Sequence, residues 1–178
     1  PIYPHIGVGR TQAVAAGQQH GQPRGLTAVG NRLFLVAEGR DGGQELWVSD
    51  GTPAGTVELT QFARLEPFGA PLRFKKVGSR LYFIAEEATS GEELWVSDGT
   101  VAGTRRLTEF GFDRPFSPFW FPLVGLAGLH EVNGRILFSA TDGLSPRQLW
   151  TVPVTAKAAP PTRICGVDGC PEVPDSIA

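Results

Sequence analysis

The chain has 178 residues and a formal net charge of -2, from 16 Lys and Arg against 18 Asp and Glu. A hydrophobic content of 41% with only 19% charged residues argues against a disordered tail, and the near-neutral charge argues against an electrostatic nucleic-acid binder. The 23 Gly and 15 Pro favour short strands joined by turns over long helices. We therefore expect an all-β fold.

The chain opens with a region that shows no strand pattern. Residues 1–25 hold a polar run from Gln18 to Gln22 and no acidic residue. We interpret this region as an N-terminal arm or linker. No stretch of the sequence is long and apolar enough for a transmembrane segment, so we expect a soluble chain.

An internal repeat organises the rest of the chain. Residues 29–62 and 77–110, shifted by 48, share 21 identities in 34 positions without a gap. A weaker third copy follows, in which Trp150 lies 55 residues after Trp95. We therefore divide residues 26–170 into three repeats (26–62, 72–110 and 129–167), with an insert at 111–128 and a C-terminal tail at 171–178.

Each repeat predicts four short strands. Val-Gly or Asn-Gly precedes an apolar run and indicates a hairpin. The run Leu33–Ala37 is apolar at consecutive positions, so we expect both faces of that strand to be covered. A third strand at Glu45–Ser49, a turn and a fourth strand at Thr56–Thr60 follow. Four strands in about 48 residues fit one blade of a β-propeller, and the chain would hold about three blades.

The motif of the third strand and its turn carries a resemblance. The segments ELWVSDGTPAGT and ELWVSDGTVAGT resemble the ELWxSDGTxAGT repeat of bacterial secreted and cell-surface proteins, which is a propeller-type repeat. The third copy keeps only Gln148-Leu149-Trp150 and has Pro153-Val154-Thr155 in place of Asp-Gly-Thr. Pro160 and Pro161 fall where its outer strand is expected, which predicts an edge or irregular strand there.

Two residue types recur at fixed positions and invite functional interpretation. Asp50 and Asp98 have the chemistry of metal or catalytic ligands, but an Asp before Gly-Thr more often caps a turn. Trp47, Trp95 and Trp150 have the chemistry of a ligand-stacking surface, but one aromatic per repeat more simply forms the core between blades. We interpret all five as structural repeat residues.

Arg32, Arg80 and Arg135 also recur at one position of the repeat. If this position lies at the axial mouth of a propeller, the three guanidinium groups form a ring that binds anions. Arginines that flank turns are usually solvated, and this is the alternative interpretation.

The insert is strongly apolar. Phe116, Phe119, Trp120 and Phe121 lie among prolines that would hold them rigidly, and we consider them candidates for binding a partner. The alternative is that the insert folds over one end of the propeller and completes its core.

The two cysteines, Cys165 and Cys170, lie five residues apart in CGVDGC. The glycines between them allow the tight turn of a local disulfide, which indicates an extracytoplasmic compartment. The alternative is half of a metal site, but no second pair of Cys or His lies at ligand spacing. We expect no metal and no cofactor.

The sequence contains no recognised catalytic motif. We therefore expect a secreted or cell-surface, non-enzymatic β-propeller module that binds a protein or glycan. The alternative is a propeller hydrolase or lyase with an active site at the axial mouth. Familiar propellers have four to eight blades, so three blades predict a partial propeller or half of a six-bladed homodimer.

Overall fold

The structure is a computed structural model, which describes residues 23–40, 42–62, 71–87, 91–108, 126–140, 147–154 and 162–164. Every regular element within these ranges is a β-strand, and none of them holds a helix long and apolar enough to cross a membrane. The all-β prediction is confirmed. The twelve strands are β1 Arg24–Val29, β2 Arg32–Glu38, β3 Gln44–Ser49, β4 Val57–Glu58, β5 Leu72–Val77, β6 Arg80–Glu87, β7 Gly91–Ser97, β8 Arg105–Arg106, β9 Ala127–Val132, β10 Arg135–Ala140, β11 Gln148–Pro153 and β12 Thr162–Ile164.

These strands form three antiparallel sheets of four, each in simple chain order. We call them blade 1 (β1–β4), blade 2 (β5–β8) and blade 3 (β9–β12). The first strands approach one another, since β1 contacts β5 and β5 contacts β9. The first strands are therefore the inner ones and the fourth strands the outer ones, as the prediction of about three four-stranded blades requires.

The hairpin between the first two strands is closed by the predicted turn residues. Gly30 and Gly78 have positive φ angles of 62° and 57°, and in blade 3 both Asn133 and Gly134 have positive φ. Positive φ at the first position, or at both, gives the primed turns whose twist matches that of the flanking strands. The dipeptides seen in the sequence therefore set these three hairpins.

Each blade has two faces of different composition. On one side Trp pairs across the strands with a large apolar residue, as Trp95 does with Phe83. We call this the leading face, and its members are Leu33, Leu35, Ala37 and Trp47 in blade 1, Leu81, Phe83, Ala85 and Trp95 in blade 2, and Ile136, Phe138, Ala140 and Trp150 in blade 3.

The opposite side we call the trailing face. It consists of Phe34, Val36, Leu46 and Val48 in blade 1, Tyr82, Ile84, Leu94 and Val96 in blade 2, and Leu137, Ser139, Leu149 and Thr151 in blade 3.

The core lies between the blades. One apolar cluster joins the trailing face of blade 1 to the leading face of blade 2, where Phe83 and Trp95 are stacked with ring centroids 6.1 Å apart. A second cluster joins the trailing face of blade 2 to the leading face of blade 3. Blade 2 is therefore covered on both faces, and its run Leu81–Ala85 is fully buried.

The same burial does not extend to blade 1. We predict from the sequence that both faces of Leu33–Ala37 are covered, but Leu33, Leu35 and Ala37 are only half-buried. Phe34 and Val36, which alternate with them, are buried. Within one chain the prediction is not met for this strand, because no described residue covers the leading face of the first blade.

The outer strand of blades 1 and 2 is fixed by a buried carboxylate. Glu93 is fully buried and accepts a hydrogen bond from Thr108 Oγ1, which in turn accepts one from the backbone N–H of Leu94 at 2.9 Å. Glu45 accepts the corresponding bond from Thr60 at 2.7 Å. A buried carboxylate is tolerated when donors satisfy it, so this network replaces ladder bonds where the outer strand is only two residues long.

Replacing Thr108 by Val removes one donor to Glu93 and the acceptor of the Leu94 N–H, while keeping the side-chain volume. We expect the free energy of unfolding, measured with urea, to fall by about 1 to 3 kcal/mol. Thr27 is half-buried and its hydroxyl donates only an exposed bond to the Gly25 carbonyl oxygen, so Thr27→Val serves as the control and should leave stability nearly unchanged. A Thr108→Val protein as stable as the unsubstituted chain would contradict this role.

Candidate functional site

The recurring aspartates close a turn of seven residues. Asp98 Oδ1 accepts hydrogen bonds from the Thr100 N–H at 2.9 Å and from Thr100 Oγ1 at 2.7 Å. The same Thr100 hydroxyl accepts the N–H of Gly103, and Thr104 Oγ1 donates back to the Thr100 carbonyl. A Cβ on Gly103 would overlap the Asp98 carboxylate. The second half of the repeat motif therefore describes one closed hydrogen-bonded turn.

Asp50 and Thr52 make the same bonds in blade 1, at 2.9 and 2.7 Å. In both blades these threonine bonds hold the aspartate pKa below its ordinary value, and for Asp98 partial burial opposes the effect. Both aspartates thus act as ionised turn caps. The described residues contain no group of His, Cys, Asp and Glu that could hold a metal ion.

The recurring arginines point from one blade to the next. Arg32 Nη1 donates to the carbonyl oxygen of Asp98, and Arg80 Nη1 donates to that of Val154, both at 3.1 Å. Tyr82 donates to the same Val154 carbonyl at 2.8 Å. Each of these arginines therefore ties the start of its second strand to the turn of the following blade.

Arg135 holds the same position in blade 3 but has a different partner. Its Nε donates to Thr151 Oγ1 of its own blade at 2.9 Å. Sequence reasoning identified these three arginines as one recurring set but missed that Arg32 and Arg80 join neighbouring blades. The anion-binding interpretation of the ring stays a prediction.

The tryptophans lie on the leading faces of their blades. Trp95 packs against the core between blades 1 and 2, with Phe62 edge-on at 5.1 Å, and Trp150 packs against the core between blades 2 and 3. Trp47 is half-buried and belongs to neither cluster.

A cleft of about 340 Å³ lies between the inner strands β1 and β5. Arg24 and Arg73 line it together with apolar side chains, notably Leu26 and Phe74. Leu26 is 61% exposed, so the apolar wall is open to solvent. A ligand with both an anionic group and an apolar surface fits this combination of side chains.

A backbone irregularity recurs in the inner strands at residues that line the cleft. The register shifts between Arg24 and Thr27 and between Leu72 and Lys75. At this bulge Gly25 has a φ of 64°, whereas Arg73 adopts a φ of 54° with a side chain present. A non-glycine residue in the left-handed region is uncommon, and such strain concentrates at functional sites.

Arg73 is held in place by the neighbouring strands. Its Nη1 donates to the Leu126 carbonyl oxygen and lies 3.8 Å from Glu92 Oε2. Glu92 Oε2 accepts the Leu126 N–H at 2.8 Å. This trio joins blade 2 to the start of blade 3 and supports one side of the cleft.

A second carboxylate faces this trio. Glu86 lies directly opposite Glu92 in the pairing of β6 with β7. Burial, and then the negative charge of Glu92, raise the pKa of Glu86; burial also raises the pKa of Glu92, against the Leu126 bond and Arg73. Sequence reasoning missed this pair because the two residues are six apart, and only the hairpin register brings them together.

Several predicted site residues lie outside the described residues. These are Phe116, Phe119, Trp120 and Phe121 of the aromatic insert, and the cysteines Cys165 and Cys170. Partner binding by the insert and the disulfide therefore stay predictions. The strand β9 begins at Ala127, so it takes up the last two residues of the predicted insert.

Comparison with known proteins gives neither a family nor a curated relative, since no family model and no curated protein matches the chain. Two solved structures resemble its fold. The AtxE2 isopeptidase with astexin3-dC4 bound is 17% identical, with a TM-score of 0.47 over 73% of this chain and 19% of that chain. A structure from a study of two prolyl endopeptidases is 19% identical, with a TM-score of 0.45 over 78% and 19%. The present chain spans about a fifth of the length of either protein.

Replacing Glu86 by Gln tests the carboxylate pair. The folded-state pKa of Glu86 is raised, so the wild-type chain loses stability as the pH rises above the ordinary value of 4.5. We expect Glu86→Gln to raise the melting temperature at pH 7. The corresponding gain in the free energy of unfolding should stay below about 1 kcal/mol, because water screens a half-exposed group. The gain should vanish below pH 4.5.

Glu38→Gln is the matched control, because Glu38 occupies the same position in blade 1 but faces the neutral Gln44. It should change the melting temperature little at either pH. Equal effects of the two substitutions would show that the charge of Glu92 plays no part.

Proposed function

We propose that this chain is a propeller-type module of a secreted or cell-surface protein, and that it binds a protein or glycan without catalysing a reaction. The observation that carries the proposal is that the recurring polar residues of the repeat make structural contacts. Asp98 closes a turn, Glu93 fixes the outer strand and Arg80 joins two blades. The residues that recur in the motif thus build the scaffold, and the function belongs to positions where the blades differ.

The proposed location outside the cytoplasm rests on the sequence. The two intact motifs resemble a repeat of bacterial secreted and cell-surface proteins, and a bridge between Cys165 and Cys170 would suit an oxidising compartment.

The cleft between β1 and β5 is the binding site we propose. The residue at the bulge that lines this cleft differs between blades. Blade 2 has Arg73 where blade 1 has Gly25 and blade 3 has Gly128, and all three have positive φ. The guanidinium of an arginine such as Arg24 recognises a carboxylate well, and the apolar C–H face of a sugar packs against an aromatic side chain such as Phe74. We therefore propose a glycan that carries carboxylates as the ligand.

Titration with an oligosaccharide of uronic acids, followed by calorimetry, tests this site. Arg24→Ala removes a charged donor from the cleft and should weaken binding by about tenfold or more. Lys76→Ala is the control, because it removes one exposed positive charge from β5 without lining the cleft. Equal losses in the two variants would indicate attraction by overall charge, and unchanged affinity in Arg24→Ala would exclude the cleft.

The aromatic insert is a further surface for a protein partner. Its four residues, Phe116, Phe119, Trp120 and Phe121, would present apolar area of the kind that dominates binding energies at interfaces. We propose this role from the sequence alone.

A second candidate function is that of a hydrolase or lyase whose active site lies beside Arg73. The observation that favours it is that Glu86 and Glu92 lie opposite each other beside Arg73, because two neighbouring carboxyl groups can divide the roles of general acid and general base. Release of reducing ends from a uronic-acid polysaccharide, lost in Glu86→Gln, would establish this activity. The binding proposal expects no release from the unsubstituted chain.

A further inference from the structure

Each end of the three-blade stack has one face that no described residue covers, and the two faces are of opposite kinds. Between blades 1 and 2, and again between blades 2 and 3, a trailing face meets a leading face. No described residue covers the leading face of blade 1 or the trailing face of blade 3. The first open face presents Leu33, Leu35, Ala37 and Trp47, all half-buried, where their counterparts Leu81, Phe83 and Ala85 are buried.

The open face of blade 3 shows the same contrast at Leu137, Ser139 and Leu149, whereas Thr151 is buried. Leu149 is 43% exposed, whereas the equivalent Leu46 and Leu94 are fully buried under the following blade. Leu137 is half-buried, whereas the equivalent Phe34 and Tyr82 are buried.

The polar residues on the blade 3 trailing face already have partners. Thr151 accepts a bond from Arg135, and Ser139 Oγ accepts one from Arg147 at 3.2 Å. Covering this face therefore leaves neither hydroxyl without a hydrogen bond.

The donor and the acceptor of one more bond of the kind that joins blades lie at opposite ends of the stack. Arg32 and Arg80 reach from a trailing face to a turn carbonyl of the next blade. Arg135 is the corresponding donor of blade 3, and the carbonyl of Asp50 is the corresponding acceptor of blade 1. Nε of Arg135 is engaged with Thr151, but in Arg32 and Arg80 the bond between blades comes from Nη1, and a guanidinium carries five N–H donors.

We infer that the occupant of both open faces is a second copy of this chain. The trailing face of blade 3 in one copy covers the leading face of blade 1 in the other, and Arg135 donates to the Asp50 carbonyl of that copy. A twofold axis along the propeller axis makes this contact twice and closes a ring of six blades, which lies within the range of familiar propellers. The inference continues the interface that the chain itself uses twice, and it does not depend on the proposed ligand.

The first test is the mass of the full chain, measured by light scattering on a sizing column. We expect twice the 19.1 kDa of one chain. A mass of one chain at every concentration would overturn the inference, and a missing blade from another part of a longer protein would then be the better occupant. A larger, open series of masses would overturn ring closure.

Three substitutions locate the interface. Leu35→Asp places a charge on the leading face of blade 1, and Leu149→Asp places one on the trailing face of blade 3; each should yield monomers. Arg135→Ala should weaken the dimer by about tenfold or more. Val101→Asp is the control, because Val101 is 61% exposed on a turn away from both faces, and it should leave the dimer intact.

Mixing the first two variants distinguishes this ring from any other dimer. A mixed pair of Leu35→Asp and Leu149→Asp chains has one interface without a substitution, so dimers should reappear on mixing. Near-ultraviolet circular dichroism shows whether each variant stays folded. Folded variants that remain dimeric alone, or that stay monomeric when mixed, would contradict the arrangement.

Discussion

The constraint on which this structure depends is that a blade cannot cover its own faces. A four-stranded sheet with apolar residues on both sides must bury each side against another sheet. Blade 2 meets this condition on both faces, and its strand β6 is fully buried from Leu81 to Ala85. Stacking one face against the next therefore provides the core, and the repeat exists because each copy must supply one face of each kind.

The polar residues of the motif fix the position of each blade relative to the next. The turn closed by Asp98 presents a carbonyl oxygen to Arg32 of the preceding blade. The buried Glu93 secures the outer strand through Thr108. Because these groups serve the scaffold, variation is left to the inner strands. There Arg24, Arg73 and Phe74 line a cleft that has no equivalent residue set in the third blade.

Much of the fold is readable from the sequence, and the reasons are physical. Periodic apolar runs and Gly or Asn-Gly pairs set local hairpins, so the strands and turn caps such as Asp50 and Asp98 could be predicted. Contacts that depend on register or on stacking could not. The pairing of Glu86 with Glu92 needs the register of one hairpin, and the bond from Arg80 to Val154 needs the packing of two blades. The uncovered face of Leu33–Ala37 was missed because its composition is that of a buried strand.

Hydrogen exchange tests most directly whether neighbouring blades provide the stability. The amides of β6 lie between two blades within one chain, whereas those of β2 have a complete neighbour on one side only. The account predicts that β2 and β10 exchange as slowly as β6 at high chain concentration, and lose protection on dilution while β6 keeps it. Protection of β2 that matches β6 and does not change with concentration would contradict it, since a blade would then be stable with one face uncovered.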